Sequence, residues 1–267
     1  MFIVTGANGT LGKLVVERLL TLVPAAQLGV SVREPENAQA FADRGVRVRR
    51  GDFEDPASLA HAFEGARDLL IISASAVGEV AYQRHKTAID AAVAAGAKRI
   101  LYTSHMGASP TSHFAPMRAH AQSEALLAAC GVPYVSLRNG FYASTVLRFL
   151  RDDTIAAPAD GPVSWTTHAD LAEAIATIMI SDPFHGISPP LTALVAEDLA
   201  TIAEQLGAKR VVVADDAFQA QLPPPVAELL MGMFHAARAG EFRLTDPALS
   251  QLLSRAPQTT RDLLPRR

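Results

Sequence analysis

The chain has 267 residues, enough for one large α/β domain or for a nucleotide domain with a smaller lobe. Hydrophobic residues make up 49% and charged residues 19%, which argues against disorder, and a net charge of −3 gives no basic footprint for nucleic acid. With Cys130 as its single cysteine, the chain can close no internal disulfide and build no cysteine-based metal site.

Residues 2–5 form a short apolar run stopped by glycine. Residues 11–22 carry Leu11, Leu14, Val15, Leu19 and Leu22 on one stripe, which predicts a helix. A second strand over 28–32 is followed by a helix over 35–44. A third strand over 46–48 is flanked by Arg44, Arg47, Arg49 and Arg50. Asp55-Pro56 opens the next helix, a carboxylate cap with proline at the first helical position. Residues 69–72 are apolar throughout, as expected of a strand covered on both faces. A helix over 80–95, a strand over 99–102, a helix over 116–129 and a strand over 134–137 complete the series. Cys130 reads as a small buried hydrophobe at the end of that last helix.

Six strands separated by helices predict a parallel, doubly wound α/β sheet of the Rossmann type over residues 1–145. Beyond residue 140 the pattern loosens. Helices are expected at 170–180, 196–205, 225–239 and 247–254, and short strands near 162–166, 191–193 and 210–213. Asp170 reads as a helix cap. Residues 146–267 are expected to form a smaller α/β C-terminal lobe that shapes a pocket rather than folding alone. No apolar run reaches the ~20 residues a membrane span needs. Met1 leads directly into a strand, without a basic and apolar leader, so the expected location is cytoplasmic.

Ligands of such sheets bind at the carboxyl ends of the strands. There the chain places Thr5-Gly6-Ala7-Asn8-Gly9-Thr10-Leu11-Gly12, between the first strand and the first helix. Gly6 permits the tight turn, Gly9 lets a pyrophosphate approach the backbone, and Gly12 allows close helix–strand packing. The free amides and positive end of the helix then face the phosphates, which predicts a bound NAD(P). No Gly-Lys-Ser/Thr follows, so the loop is not that of a nucleotide hydrolase. Arg33 ends the second strand, where a guanidinium pairs with a 2′-phosphate and favours NADP(H). Glu34 beside it keeps NAD(H) open, and a solvated strand-end charge is the plainer role for Arg33. Asp52 and Phe53 follow the third strand, either to meet adenine or to form the turn into the next helix. Lys86 reads as solvated. His113, His168, His185 and His235 are scattered singly without metal spacing.

The Thr5–Gly12 loop, Val32-Arg33, Gly51-Asp52-Phe53, Tyr102-Thr103-Ser104 and Leu137-Arg138-Asn139-Gly140-Phe141-Tyr142 together resemble the NmrA-like atypical short-chain dehydrogenase/reductases. Within that family the chain is most similar to the quinone and triphenylmethane reductases. The resemblance is strongest to about residue 145. It implies cofactor contacts at Gly6, Asn8, Gly9, Thr10, Leu11, Gly12, Arg33, Asp52, Phe53, Ser73, Ser75 and Thr103. Short-chain dehydrogenases use a Tyr-x-x-x-Lys pair, the tyrosine delivering a proton and the lysine lowering its pKa. By the resemblance His120 stands in the lysine place, with Glu124 four residues on, and Pro116 in the tyrosine place. The usual proton donor is absent.

That absence fits hydride transfer to a quinone or similar conjugated acceptor, with the protein supplying proximity and orientation. His120, Tyr142 and Ser104 are the expected catalytic residues, with His105 beside them. His120 either donates a hydrogen bond to the acceptor or holds the nicotinamide ribose. Tyr142 supplies an aromatic wall, a phenolic proton, or only core packing. The rival reading is a redox-sensing regulator that binds the dinucleotide without turning it over; an epimerase ranks last, because it wants the tyrosine. Dimers are common among such folds, so a homodimer is open.

Overall fold

The computed structural model describes residues 1–263. The first half alternates as expected: β1 (Phe2–Thr5), α1 (Thr10–Leu19), β2 (Leu28–Val32), α2 (Gln39–Ala42), β3 (Arg47–Arg50), α3 (Pro56–Phe63), β4 (Asp68–Ile71), α4 (Gly78–Ala94), β5 (Arg99–His105), α5 (Ala115–Ala129) and β6 (Tyr134–Asn139). There follow β7 (Phe141–Tyr142), β8 (Leu150–Arg151), β9 (Thr154–Ala157), β10 (Trp165–Thr166), α6 (His168–Ser181) and β11 (Gly186–Ile187). The described chain closes with α7 (Leu199–Leu206), β12 (Lys209–Val212), α8 (Asp215–Gln219), α9 (Pro224–Arg238) and α10 (Ala248–Leu253).

Seven strands pair in parallel in the order β11-β6-β5-β4-β1-β2-β3. The order reverses at β1, which lies between β2 and β4, so a crevice opens there at the carboxyl ends of the strands. One face is covered by α1, α6 and α10, the other by α3, α4 and α5. Val4, Val15, Val30, Leu70 and Ile175 pack on the first face; Ile3, Phe63, Leu69, Ile89 and Tyr102 pack on the second. A separate cluster around Phe149, Trp165, Met231 and Phe234 forms the core of the smaller lobe, whose sheet runs β12-β9-β8. The expected lobe runs to residue 267, and its last four residues lie outside the described ones.

Several elements differ from the sequence reading. The helix expected over 35–44 is a 3-10 turn, Pro35–Ala38, and one α turn, Gln39–Ala42; the chain leaves it through Gly45 in the left-handed region (φ +87°). Arg47 and Arg49 lie within the third strand and donate to the carbonyls of Glu64, Ala62 and His61 around the end of α3. Charge on this edge strand also blunts edge-to-edge pairing. The strand expected near 162–166 shrinks to Trp165–Thr166, and the one near 191–193 to a single bridge between Leu191 and Asn139. Prolines at 162, 189 and 190 withhold the donors a ladder needs.

Asp170 does not cap α6. Thr167 does, accepting the Asp170 amide at 3.1 Å. Asp170 sits one turn in, fully buried, where Arg255 (2.8 Å) and the Gln258 amide (2.6 Å) meet its carboxylate. These contacts strap the C-terminal segment across α6. No described helix is long and apolar enough to cross a membrane.

Candidate functional site

At the switch point a cleft of about 320 Å³ runs along the strand ends. Its lining includes Gly6, Asn8, Gly9, Arg33, Asp52, Phe53, Ser73 and Ser75. Gly6 leaves β1 with φ +63°, where a side chain is strained, and its carbonyl accepts the Gly9 amide at 2.9 Å. Gly9 is the N-cap of α1 and offers no capping side chain. A Cβ on Gly12 would fall 2.3 Å from the Gly6 carbonyl oxygen, so only glycine lets the helix start this close to the strand turn. The amides of Thr10, Leu11 and Gly12 open α1, and intrahelical bonding first returns at Lys13. The Asn8 side chain donates to the Glu34 carbonyl at 3.0 Å and ties this loop to the end of β2.

The cleft fits a dinucleotide on two observations of its own. In the glycine cradle a Cβ added at Gly12 or Gly9 would crowd the Gly6 carbonyl, at 2.3 and 3.3 Å. The hydroxyl of Ser31, 1% exposed on the cleft wall, has no hydrogen-bond partner among the described residues. A buried hydroxyl without a partner costs about 1–3 kcal/mol, so the wall is built to meet a polar ligand. Arg33 is exposed and has no ion pair among the described residues, whereas Glu34 is engaged by the Asn37 side chain at 2.5 Å. Opposite, Arg84 of α4 donates to Glu54 from Nε at 3.0 Å, and both residues line the cleft.

Beyond Ser73 the wall passes into a cluster of rings. His85 of α4 accepts the Ala74 amide on Nε2 at 3.0 Å. Its Nδ1 lies 2.9 Å from Ser123 Oγ and 3.1 Å from Tyr102 Oη. Tyr102 Oη is in turn 2.8 Å from His120 Nδ1. His120 stacks near His85 and His105, at centroid distances of 6.0 and 6.4 Å. Burial disfavours the charged ring throughout. His85 falls to about 4 and His105 to about 3, while His120 is pushed well below 6.5 by burial and then by the neighbouring histidines. Burial also raises the Tyr102 hydroxyl, so it stays protonated. His120 is therefore a neutral hydrogen-bonding ring at neutral pH.

A family profile described as NAD(P)H-binding matches residues 6–182. The chain belongs to this NAD(P)H-binding, NmrA-like family. It is 37% identical to Quinone oxidoreductase 2 of Escherichia coli over 277 residues, covering 97% of this chain and 96% of the relative. It superposes on a crystal structure of NADPH-dependent quinone oxidoreductase from E. coli complexed with NADPH, with a TM-score of 0.89, 33% identity and 98% of each chain covered. It also superposes on Citrobacter sp. triphenylmethane reductase complexed with NADP(H), with a TM-score of 0.88, 30% identity and 97% of each chain covered.

Within this NAD(P)H-binding frame the expected site residues divide. Gly6, Asn8, Gly9, Arg33, Asp52, Phe53, Ser73 and Ser75 meet at one cleft, with Thr10, Leu11 and Gly12 behind it as the first turn of α1. Leu11 turns its side chain into the core. Asp52 also forms the turn into α3, where Oδ1 accepts the Glu54 amide at 3.1 Å. Thr103 is buried behind the cleft, its hydroxyl accepting the Ser73 amide at 2.8 Å and donating to Ser73 Oγ at 3.1 Å, so it braces that loop. Ser104 does not join His120. It is buried and donates to Glu124 Oε1 at 2.7 Å, because it shares the Tyr102 face of β5 and looks onto α5. Glu124 also binds Arg138 through Oε2 at 2.7 Å. Tyr142 stacks on His168 at 4.1 Å between centroids, and burial raises its hydroxyl, with Asn139 opposing. Lys86 pairs with Asp90 at 2.5 Å, and Cys130 is the partly buried C-cap of α5. Sequence reasoning missed Ser31, Glu54, Arg84 and His85. Ser31 and Glu54 adjoin the Val32-Arg33 and Asp52-Phe53 segments, the one signal that could have found them, whereas Arg84 and His85 are brought to the site only by α4.

Proposed function

We propose that the protein is an NAD(P)H-dependent reductase, preferring NADPH, that passes hydride to a quinone-like or other conjugated acceptor. One observation carries the reading: over 97% of its length the chain follows a quinone oxidoreductase. Two features agree with it, a glycine cradle that fits a dinucleotide and Pro116 where a short-chain dehydrogenase keeps its tyrosine.

Gly6, Gly9 and Gly12 let the amides of Thr10, Leu11 and Gly12 hold the pyrophosphate at the positive end of α1. Asn8 fixes the loop. Arg33 meets the 2′-phosphate, a contact worth about 1.5–3 kcal/mol for a charged hydrogen bond. Asp52, Phe53 and Ser31 face the adenosine end; Ser73 and Ser75, braced by Thr103, let the backbone approach the dinucleotide. The bound dinucleotide supplies the hydride. His120 donates a hydrogen bond to the acceptor oxygen on which negative charge grows, and Tyr142 walls the pocket. The reduced acceptor spreads its charge and takes its proton from water, so no tyrosine–lysine pair is needed.

Mixing purified protein with NADPH and a panel of quinones, and following the nicotinamide absorbance, tests this reading. Quinone-dependent loss of NADPH is expected. Tight NADPH binding without consumption across the panel would overturn it in favour of a sensor.

A further inference from the structure

His85 and Tyr102 have no part in the chemistry above, yet both are buried against His120. Their hydrogen bonds favour one arrangement of the hydrogens. The Ala74 amide can only donate, so His85 Nε2 must be bare at 3.0 Å from it. A neutral imidazole keeps one hydrogen, which therefore sits on Nδ1. The hydroxyl of Ser123 sends its own hydrogen to the Ala119 carbonyl at 2.8 Å, and its oxygen accepts from His85 Nδ1 at 2.9 Å. Tyr102 Oη, at 3.1 Å from that same protonated nitrogen, cannot donate to it. Its hydrogen goes to the close acceptor, His120 Nδ1 at 2.8 Å, in preference to Ser123 Oγ, which also bonds Tyr102 but already accepts from His85. The hydrogen of His120 then sits on Nε2, which has no hydrogen-bond partner among the described residues.

We infer that Tyr102 and His85 are positioning residues, which lock His120 in the tautomer that presents Nε2–H as a donor. The two stacked histidines hold opposite tautomers: His85 carries its hydrogen on Nδ1, His120 on Nε2. The chain of donors begins at a backbone amide and has no exchangeable end behind His120. His120 can therefore give a hydrogen bond but cannot be recharged with a proton from the interior. Such a site stabilises an oxyanion without protonating it, which selects acceptors whose reduced form survives as an anion. Conjugated carbonyl compounds of the quinone class qualify, whereas simple ketones do not. The inference rests on the reductase reading only for what the donor acts upon.

Long-range proton–nitrogen NMR spectra of the imidazole rings test it on the free protein. There are 8 histidines, and His85→Gln and His120→Gln assign the two that matter. At neutral pH the expected pattern is opposite tautomers, both rings neutral. A His120 ring protonated on Nδ1, or charged, overturns the inference from the wild-type spectrum alone. Tyr102→Phe is expected to lose the pure Nε2–H signature and to lower kcat with quinones about tenfold, with KM for NADPH unchanged. An unaltered His120 spectrum and an unaltered kcat in that variant would also overturn it. Opposite tautomers in a protein that consumes no NADPH with any quinone would uphold the lock and defeat the reductase reading.

Discussion

The nucleotide cleft and the ring cluster adjoin along the strand ends but are built from different materials. The cleft is made of backbone: a left-handed Gly6, a Gly12 with no room for a Cβ, and the open amides of α1. The cluster is made of side chains from three elements, His85 on α4, Tyr102 on β5 and His120 on α5, joined by hydrogen bonds of 2.8–3.1 Å. A backbone site fails when a methyl group intrudes. A side-chain site fails when a hydrogen is missing or sits on the wrong nitrogen. Binding and chemistry should therefore separate cleanly under mutation.

The largest effect should come from Gly12→Val. The added Cβ must push α1 away from the Gly6 carbonyl, and displaced amides no longer converge on phosphate. Calorimetry should show NADPH affinity reduced by about hundredfold or more, since an ångström of misplacement costs that much at an active site. His120→Ala should act on the other region alone, lowering kcat with quinones by about 10²-fold, the size seen for losing an oxyanion donor, while NADPH affinity stays near wild type. Loss of NADPH binding in this variant would show that the ring holds the ribose instead. Arg33→Ala should weaken NADPH by about 10–100-fold, matching 1.5–3 kcal/mol of charged hydrogen bonding, and leave NADH unchanged. An equal loss for both cofactors would remove the 2′-phosphate contact.

The smallest effect is in pH dependence. His85, His105 and His120 all titrate below 6.5 in the folded protein, chiefly through burial. Their folded values are depressed, so the unfolded chain binds the extra protons. Stability conferred by these neutral rings is whole above 6.5 and is lost as pH falls toward about 4, the His85 value. Thermal melts should show Tm falling across that window, and less steeply in His85→Gln. The kcat profile should show no inflection near 6.5, because His120 is already neutral there. A bell centred on that value would mean that His120 acts as an acid.

The same contrast sets how much could be read from the sequence. Glycine spacing is itself geometry, so Gly6, Gly9, Gly12, Arg33 and the loops after β3 and β4 were legible, as was the parallel sheet that gathers them. Strand β11 was not legible, because two residues carry no period. The α6 cap was misplaced, since Thr167 and Asp170 are both cap formers and only the Arg255 and Gln258 contacts separate their roles. Ser104 lay at the right strand end, but its hydroxyl is taken by Glu124 one turn beyond His120 on α5. His85 lay 35 residues before His120 in a helix with no motif, and its role appears only once the Ala74 amide fixes its hydrogen.

The glycine cradle and Arg33, unpaired among the described residues, are together expected to bind a phosphorylated dinucleotide. Titration calorimetry with NADPH and with NADH on the unmodified protein addresses it most directly. Saturable heat with both, tighter for NADPH, is the expected result. No heat with either cofactor would contradict the account at its base.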